Sequence, residues 1–398
     1  MDAHPASVPH RAGTSTSVPH RAGTSTSVPH RAGTSTSTSV PYRAGTEGYH
    51  TFRIPAVVVT AAGTVLAFAE GRRDAAGDAG RIDLVLKHSA DGGATWGPLQ
   101  VVAREPRGGT AGNPAPVVTR DGRVVLVHVR NAADATEDKI RRGQVPAANG
   151  RRVYVQTSDD DGATWSEARE ITAGVKRPEW RWYATGPGHA VELRHGPHAG
   201  RIAVPGNHSL PPTGADNGTE GRYNGGHALL SDDGGATWRI GYTDDNPDGY
   251  VNVNETTAAE LPGGRLYLNC RTDSAAPGTR ADAYSADGGQ TLKLPFRPQA
   301  GVVCPVVECS VLAWDDPGVL LLSGPAAPDA RAVMTVRVSG DDGVTWRPAY
   351  TVSGLPAAYS DLARVDADTV GLLFETGDFS AYETITFLRL PLAELVRT

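Results

Sequence analysis

SADGGATW, residues 89–96, is the first of five copies of one eight-residue phrase of the form S-x-D-x-G-x-T-W. The others are SDDDGATW from Ser158, SDDGGATW from Ser231, SADGGQTL from Ser285 and SGDDGVTW from Ser339, so successive copies start 69, 73, 54 and 54 residues apart. Recurrence at such a period marks a repeat architecture, and a period near 50 suits the four-stranded blade of a propeller. The phrase reads as a hairpin turn. Its central Asp can accept hydrogen bonds from the turn backbone, its Gly supplies a positive φ, and its Trp packs the following strand. Turn chemistry accounts for every position, so these residues announce a scaffold and not a catalytic centre.

Outward from the turns, strand-like runs lead into each copy. TFRIPAVVVT, TVLAFAEGR and IDLVLKHSA precede the first, RVVLVHVR and RVYVQTS the second, and RIAVPG and GGHALLS the third. RLYLNCRT and ADAYSA precede the fourth, VLLLSGPA and VMTVRVS the fifth. TVGLLFETG and TITFLRLPL, with the earliest strands, supply a further blade. Six blades in about 350 residues is near the expected blade length. The fold class is therefore all-β, a six-bladed β-propeller with a disordered N-terminal tail. With 47 Gly, 29 Pro and 6% aromatic residues, the composition agrees with many short strands joined by tight turns.

The tail is assigned to residues 1–46 and the propeller to 47–398. SVPHRAGTST runs from Ser7, Ser17 and Ser27, and an altered copy, SVPYRAGTEG, begins at Ser39 and leads into the domain. So little apolar content predicts disorder. His10, His20 and His30 recur every ten residues, but spacer is favoured over weak metal binding. The start, MDAHPASVPH, lacks a charged segment followed by an apolar one, so the expectation is a cytoplasmic chain as written, or a secreted one if the start site is misassigned.

A formal net charge of −6 argues against nucleic-acid binding driven by bulk charge. No apolar run reaches the length of a membrane span. Cys270, Cys304 and Cys309 are too few and odd in number for a disulfide framework; buried free thiols are the favoured reading, with one disulfide among them left open. No H-E-x-x-H or C-x-x-C pattern is present, so neither a metal nor a cofactor is expected.

Arg53, in YHTFRIPAVVV, lies in an otherwise apolar strand and must have a partner, such as Glu70, or line a polar cavity. Arg271 in LYLNCRTD and Arg331 in PDARAVMTV occupy similar places in later blades. Three guanidiniums converging at a propeller mouth would suit a carboxylate, whose two oxygens match their fork geometry. Tyr359, in AAYSDLARV, is a poor nucleophile unless a carboxylate such as Glu255, in VNVNETTAAEL, takes its proton. On residue types alone, a half-buried aromatic and a loop charge are the plainer reading. The Gly-rich loop EGRRDAAGDAGRIDL offers Glu70, Asp74, Asp78 and Asp83, any Asp of which could act as general acid, or simply be solvated.

With these residues on the page, the chain resembles the bacterial-type exo-sialidases, or neuraminidases, whose propellers carry such turns as "Asp boxes". The resemblance covers residues 40–398. It rests on FRIP at Phe52–Pro55, four intact boxes and one ending in Leu292, TGPG at Thr185–Gly188, NE at Asn254–Glu255, NCR ending at Arg271, and AYSDL at Ala358–Leu362. It implies that Arg53, Arg271 and Arg331 clamp a sialic acid carboxylate. It further implies Tyr359 as nucleophile, Glu255 as its general base and Asp78 as acid/base, with Asp74 the competitor. Glu70 and Glu375 would brace the arginines, and Asp83 would contact the sugar's side groups. The implied activity is retaining hydrolysis of terminal sialic acids from glycoproteins, glycolipids and oligosaccharides, by a monomer without cofactor. A trans-sialidase or intramolecular trans-sialidase, with Trp180 and Trp182 as an acceptor platform, is one alternative. An enzyme for another nonulosonic acid such as Kdn, or a non-catalytic sialoglycan-binding propeller, are others.

Overall fold

The computed structural model describes residues 36–213, 223–245, 251–272 and 279–397. The upstream decapeptide copies, with His10, His20 and His30, lie outside them. The strands form a β-propeller in which each set is a meander of antiparallel neighbours. One sheet runs Val253–Leu261, Arg265–Thr272, Thr279–Ser285, Arg297–Val303, and the next Ser310–Trp314, Val319–Pro325, Met334–Ser339, Arg347–Thr351. Another is built on Tyr183–Thr185 and Val191–Glu192, both pairing Ile202–Ser209, followed by Asn224–Ser231 and Arg239–Asp244.

Six separate sheets were expected; hydrogen bonding partitions the strands into five. Two meanders, one from Thr51–Val59 to Gln100–Arg104 and one from Thr110–Val118 to Arg169–Glu170, merge into an eight-stranded sheet. The junction is a single parallel pairing of Ile82 with Thr110, where Ile82 N–H donates to Gly109 O at 3.2 Å. Strands of neighbouring meanders pack side by side: Thr51–Val59 touches both Thr110–Val118 and Ala357–Arg364, and Val253–Leu261 touches both Ile202–Ser209 and Ser310–Trp314. These inner strands are buried along almost their whole length.

The remaining sheet joins the two ends of the described chain. Its order is Ser37–Arg43, Thr384–Pro391, Thr369–Thr376, Ala357–Arg364. The strand Ser37–Arg43 thus lies within the stretch assigned to the tail, upstream of the domain start expected at 47. The reason is the altered decapeptide: Tyr42, where the upstream copies have His, is fully buried and its Oη donates to Ala67 O at 2.7 Å. Ser39 Oγ accepts from Trp96 Nε1 of the first turn phrase at 2.8 Å.

The five phrases form the expected turns. In the first, Asp91 accepts from Ser89 Oγ, Ala94 N, Thr95 N and Thr95 Oγ1, and these donors hold its carboxyl well below the usual range. The same pattern recurs at Asp160, Asp233, Asp287 and Asp341. Trp165, Trp238 and Trp346 each donate Nε1–H to the carbonyl of their own phrase's glycine.

Candidate active site

Four inner strands break register at the same level. The shifts fall between Arg53 and Ala56, Gly112 and Ala115, Val253 and Thr256, and Ala357 and Ser360. A bulge adds a residue on one strand and re-aims its side chain. The bulged segments hold Arg53, Asn113, Glu255 and Tyr359, with Ile54 at φ 59° and Asn113 at φ 53°. Pro55 and Pro114, lacking an N–H, sit where the ladder is interrupted. TGPG locks two bulges together: Thr185 Oγ1 donates to Asn113 O at 2.6 Å, and Gly186 O accepts from Thr256 N at 3.1 Å.

The bulges open on a polar cavity of about 160 Å³ lined by Arg53, Arg271, Arg331, Tyr359, Glu255 and Asp78 among others. Tyr359 Oη donates to Glu255 Oε1 at 2.5 Å, and Arg271 Nη1 reaches both Glu255 Oε2 at 2.9 Å and Tyr359 Oη at 3.1 Å. Burial first, then the adjacent Glu255, pushes the Tyr359 phenol well above its ordinary pKa, against the opposing pull of Arg271, Arg331 and Arg53. The phenol is therefore protonated at neutral pH, with its acceptor in hydrogen-bond contact.

The three arginines reach the cavity by different routes. Arg53 comes from an inner strand, Arg271 from the end of the second strand Arg265–Thr272, and Arg331 from the turn before Met334–Ser339. Arg331 is thus not a strand residue as expected. The anticipated Arg53–Glu70 pairing is replaced by one with Glu375, whose Oε1 accepts from Arg53 Nε at 2.7 Å and Ile54 N at 2.8 Å. Arg53 also stacks on Tyr382, its guanidinium 4.0 Å from the ring centre. Arg331 donates to Tyr382 Oη and to Val306 O, each at 2.9 Å.

Glu70 braces a different arginine. Its Oε2 accepts from Arg72 Nε and Nη2 at 3.1 and 2.7 Å, while its Oε1 accepts from the bulge residue Asn113 N at 2.9 Å. Arg72 in turn bonds Asp78 Oδ1 through Nη1 at 2.8 Å. Asp78 stands at the rim of the cavity with its side chain 69% exposed; partial desolvation there opposes its ionisation, but Arg72 and Arg53 outweigh this and hold its pKa below the ordinary value. Asp74 does not line the cavity; it forms an exposed pair with Arg81.

Asp83 also lies elsewhere. It pairs in register with Gly71, between Glu70 and Arg72, so strand alternation turns it to the opposite face. There it accepts from Tyr49 Oη at 2.8 Å, Arg73 Nη2 at 2.6 Å and Arg104 Nε at 2.9 Å. This placement leaves Asp83 off the lining of the polar cavity.

Sequence reading passed over Arg72, Arg151, Asn113 and Glu137, which also line the cavity, as do Trp182 and the Asn254 of the NE motif. Arg151 is buried, donates to Asn113 Oδ1 at 2.8 Å and stacks over Trp182, and burial lowers its pKa to about 10. A signal for Asn113 was present: GNPA repeats the Pro-Ala spacing of RIPA. Trp180 and Trp182 are 2% and 7% exposed, so neither presents an open platform.

A larger cavity of about 560 Å³ lies at the other end of the inner strands, near Val57–Thr60 and Leu362–Ala367. It contains none of the tyrosine, glutamate and arginine group that lines the smaller one. Among the described residues no three His, Cys, Asp or Glu side chains are placed to hold a metal, and no helix is long and apolar enough to cross a membrane.

Known proteins resemble the chain in sequence and in fold. The family described as "BNR repeat-like domain" matches residues 63–372. A sialidase of Micromonospora viridifaciens is 34% identical over 346 residues, covering 83% of this chain and 50% of that protein. An exo-alpha-sialidase of Aspergillus fumigatus is 32% identical over 311 residues, covering 74% of this chain and 69% of that protein. Among solved structures, Hadza microbial sialidase Hz136 superposes with a TM-score of 0.75 at 27% identity, covering 89% of this chain and 68% of the other. The chain thus spans half the length of the Micromonospora protein.

Proposed function

The chain belongs to the BNR-repeat sialidase family, and we propose that it is an exo-α-sialidase that removes terminal sialic acids from glycoconjugates with retention of configuration. The observation that carries this reading is the 2.5 Å hydrogen bond between Tyr359 Oη and Glu255 Oε1, inside a cavity shared with three arginines. Sialic acid bears a carboxylate on its anomeric carbon. An anionic carboxylate nucleophile would meet like-charge repulsion there, whereas a phenol that loses its proton only during attack does not. Sialidases with a tyrosine nucleophile are a recognised exception to the two-carboxylate rule for glycosidases.

Arg53, Arg271 and Arg331 hold the substrate carboxylate. Asp78, in its acid form, protonates the leaving oxygen as Tyr359 attacks and Glu255 takes the phenol proton. The covalent sialyl-tyrosine is then hydrolysed by water activated by Asp78. The single negative charge shared by Glu255 and the Tyr359 oxygen stabilises the oxocarbenium-like transition state, and the departing phenolate recovers its proton from Glu255. Glu375 and Glu70 set the bulges that aim these groups, and Asp83 has no part in the reaction.

We count the two halves of the eight-stranded sheet as separate blades, which gives a six-bladed ring. The burial of Trp180 and Trp182 favours hydrolysis over transfer to an acceptor stacked on them. The deciding experiment is release of free sialic acid from a simple α-sialoside by the wild type and by Tyr359→Phe. Release that collapses in the variant supports the reading; a folded wild type that binds the sialoside without cleaving it overturns it.

A further inference from the structure

Two thiols unused by this chemistry lie beneath the loop that holds Arg331. Cys304 and Cys309 are fully buried, free, and 3.4 Å apart at Sγ. The intervening segment is tied to the site at two points. Val306 O accepts from Arg331 Nη2 at 2.9 Å, and Glu308 Oε2 accepts from the N–H of Ser360, next to Tyr359, at 3.2 Å. Within it Val306 is 40% exposed, and Val303, just before Cys304, is 43% exposed, so the thiols lie just below the surface.

The surroundings favour a reactive pair. Arg280 donates to Val307 O at 2.5 Å and Arg337 to Val303 O at 2.6 Å, placing two guanidiniums beside the sulfurs. Burial alone would raise the Cys304 pKa, but the Cys309 S–H and the two arginines bring it below the ordinary thiol value, while burial and the bond to Cys304 push Cys309 up. One sulfur is thus the thiolate-prone nucleophile and the other its proton-bearing neighbour. Gly324 presses on both: a Cβ there would stand 2.2 Å from Cys309 Sγ.

We propose that Cys304 and Cys309 form an oxidisable dithiol, a modification site whose closure to a disulfide weakens the hold of Arg331 on a substrate carboxylate. The second half rests on the role given to Arg331 above. With hydrogen peroxide as oxidant, the Cys304 thiolate attacks one oxygen, giving a sulfenic acid and, after protonation, water. The Cys309 sulfur then attacks the sulfenyl sulfur and expels a second water. Two thiols are oxidised by two electrons and one peroxide is reduced to two waters. Closure from 3.4 Å to about 2.05 Å contracts the loop and displaces the Val306 carbonyl from Arg331.

The test treats the full chain with hydrogen peroxide or reductant and reads two quantities. Peptide mapping after alkylation reads the cross-link, and steady-state kinetics on an α-sialoside reads its effect. The expected result is a reductant-reversible Cys304–Cys309 cross-link, kept in Cys270→Ser and absent from Cys304→Ser. It should come with a KM increase of about three- to tenfold, the net worth of one hydrogen bond, and a smaller change in kcat. Complete alkylation of all three thiols after oxidant overturns the site. A cross-link with unchanged KM overturns its coupling to Arg331. If the chain cleaves no sialoside, the mapping still judges the dithiol, and binding of free sialic acid, read by thermal shift, replaces KM.

Discussion

Glu375 accepts the backbone N–H of Tyr359 at 3.2 Å through one carboxylate oxygen while the other holds Arg53 and the N–H of Ile54. One buried side chain thus sets the orientation of the proposed nucleophile and of one arginine of the clamp. Glu375→Ala leaves the Arg53 guanidinium buried without its counter-ion, and breaking such a pair costs about 3–5 kcal/mol. Chemical denaturation should show that loss. Sialoside KM should rise more than for an exposed control such as Glu167→Ala.

Tyr359 and Glu255 act as one unit in the proposed reaction. Glu255→Gln keeps the shape but removes the proton acceptor, and the rate should fall by about 10²–10⁴-fold. Tyr359→Phe should fall at least as far. The double variant should be little worse than Tyr359→Phe alone, since groups that act together lose their effects non-additively. Multiplying losses in single-turnover assays would mean that the two side chains work separately.

Asp78 must be protonated to serve as acid, yet Arg72 keeps its pKa below the ordinary value in the free protein. A depressed acid loses its proton early as pH rises, so kcat/KM should be highest on the acid side and decline toward neutrality. Arg72→Gln withdraws the favouring charge and should move the descending limb to higher pH. Asp78→Ala should impair natural glycosides more than substrates with good leaving groups. Equal losses on both would remove Asp78 from the acid role.

Gly112 lies against Glu70 so closely that a Cβ would stand 2.4 Å from Glu70 Oε1. Glu70 is buried and bound to Arg72 and Asn113, so it has little room to yield. Gly112→Ala should therefore destabilise the chain by about 1–3 kcal/mol through overpacking. It should also lower activity by disturbing the Asn113 bulge. A variant with wild-type melting and kinetics would show that the bulge adjusts freely.

The turns and most of the site were legible because their chemistry is local or tied to short motifs. S-x-D-x-G-x-T-W specifies its own hydrogen bonds, and FRIP, NE and AYSDL fall on the bulges. What escaped was set by facing and by long-range packing. Asp83 sits one residue out of phase with Glu70 and Arg72, and nothing in its loop told which face it would take. Arg53 found Glu375 rather than Glu70 because the partner comes from an adjoining sheet more than 300 residues away in sequence. The tail boundary was misplaced because a repetitive stretch reads as spacer, although the change from His to Tyr at position 42 marked the copy with a core to enter.

That copy has a consequence for how the protein is made. Ser37–Arg43 lies on the outer edge of the sheet whose inner strand carries Tyr359, beside a strand ending only at Pro391. A nascent chain therefore exposes this strand early but cannot seat it until Thr384–Pro391 has been synthesised. Until then the sheet bearing Tyr359 is missing its outer half. Premature termination anywhere before Thr384 should silence the site even though Tyr359 itself has been synthesised.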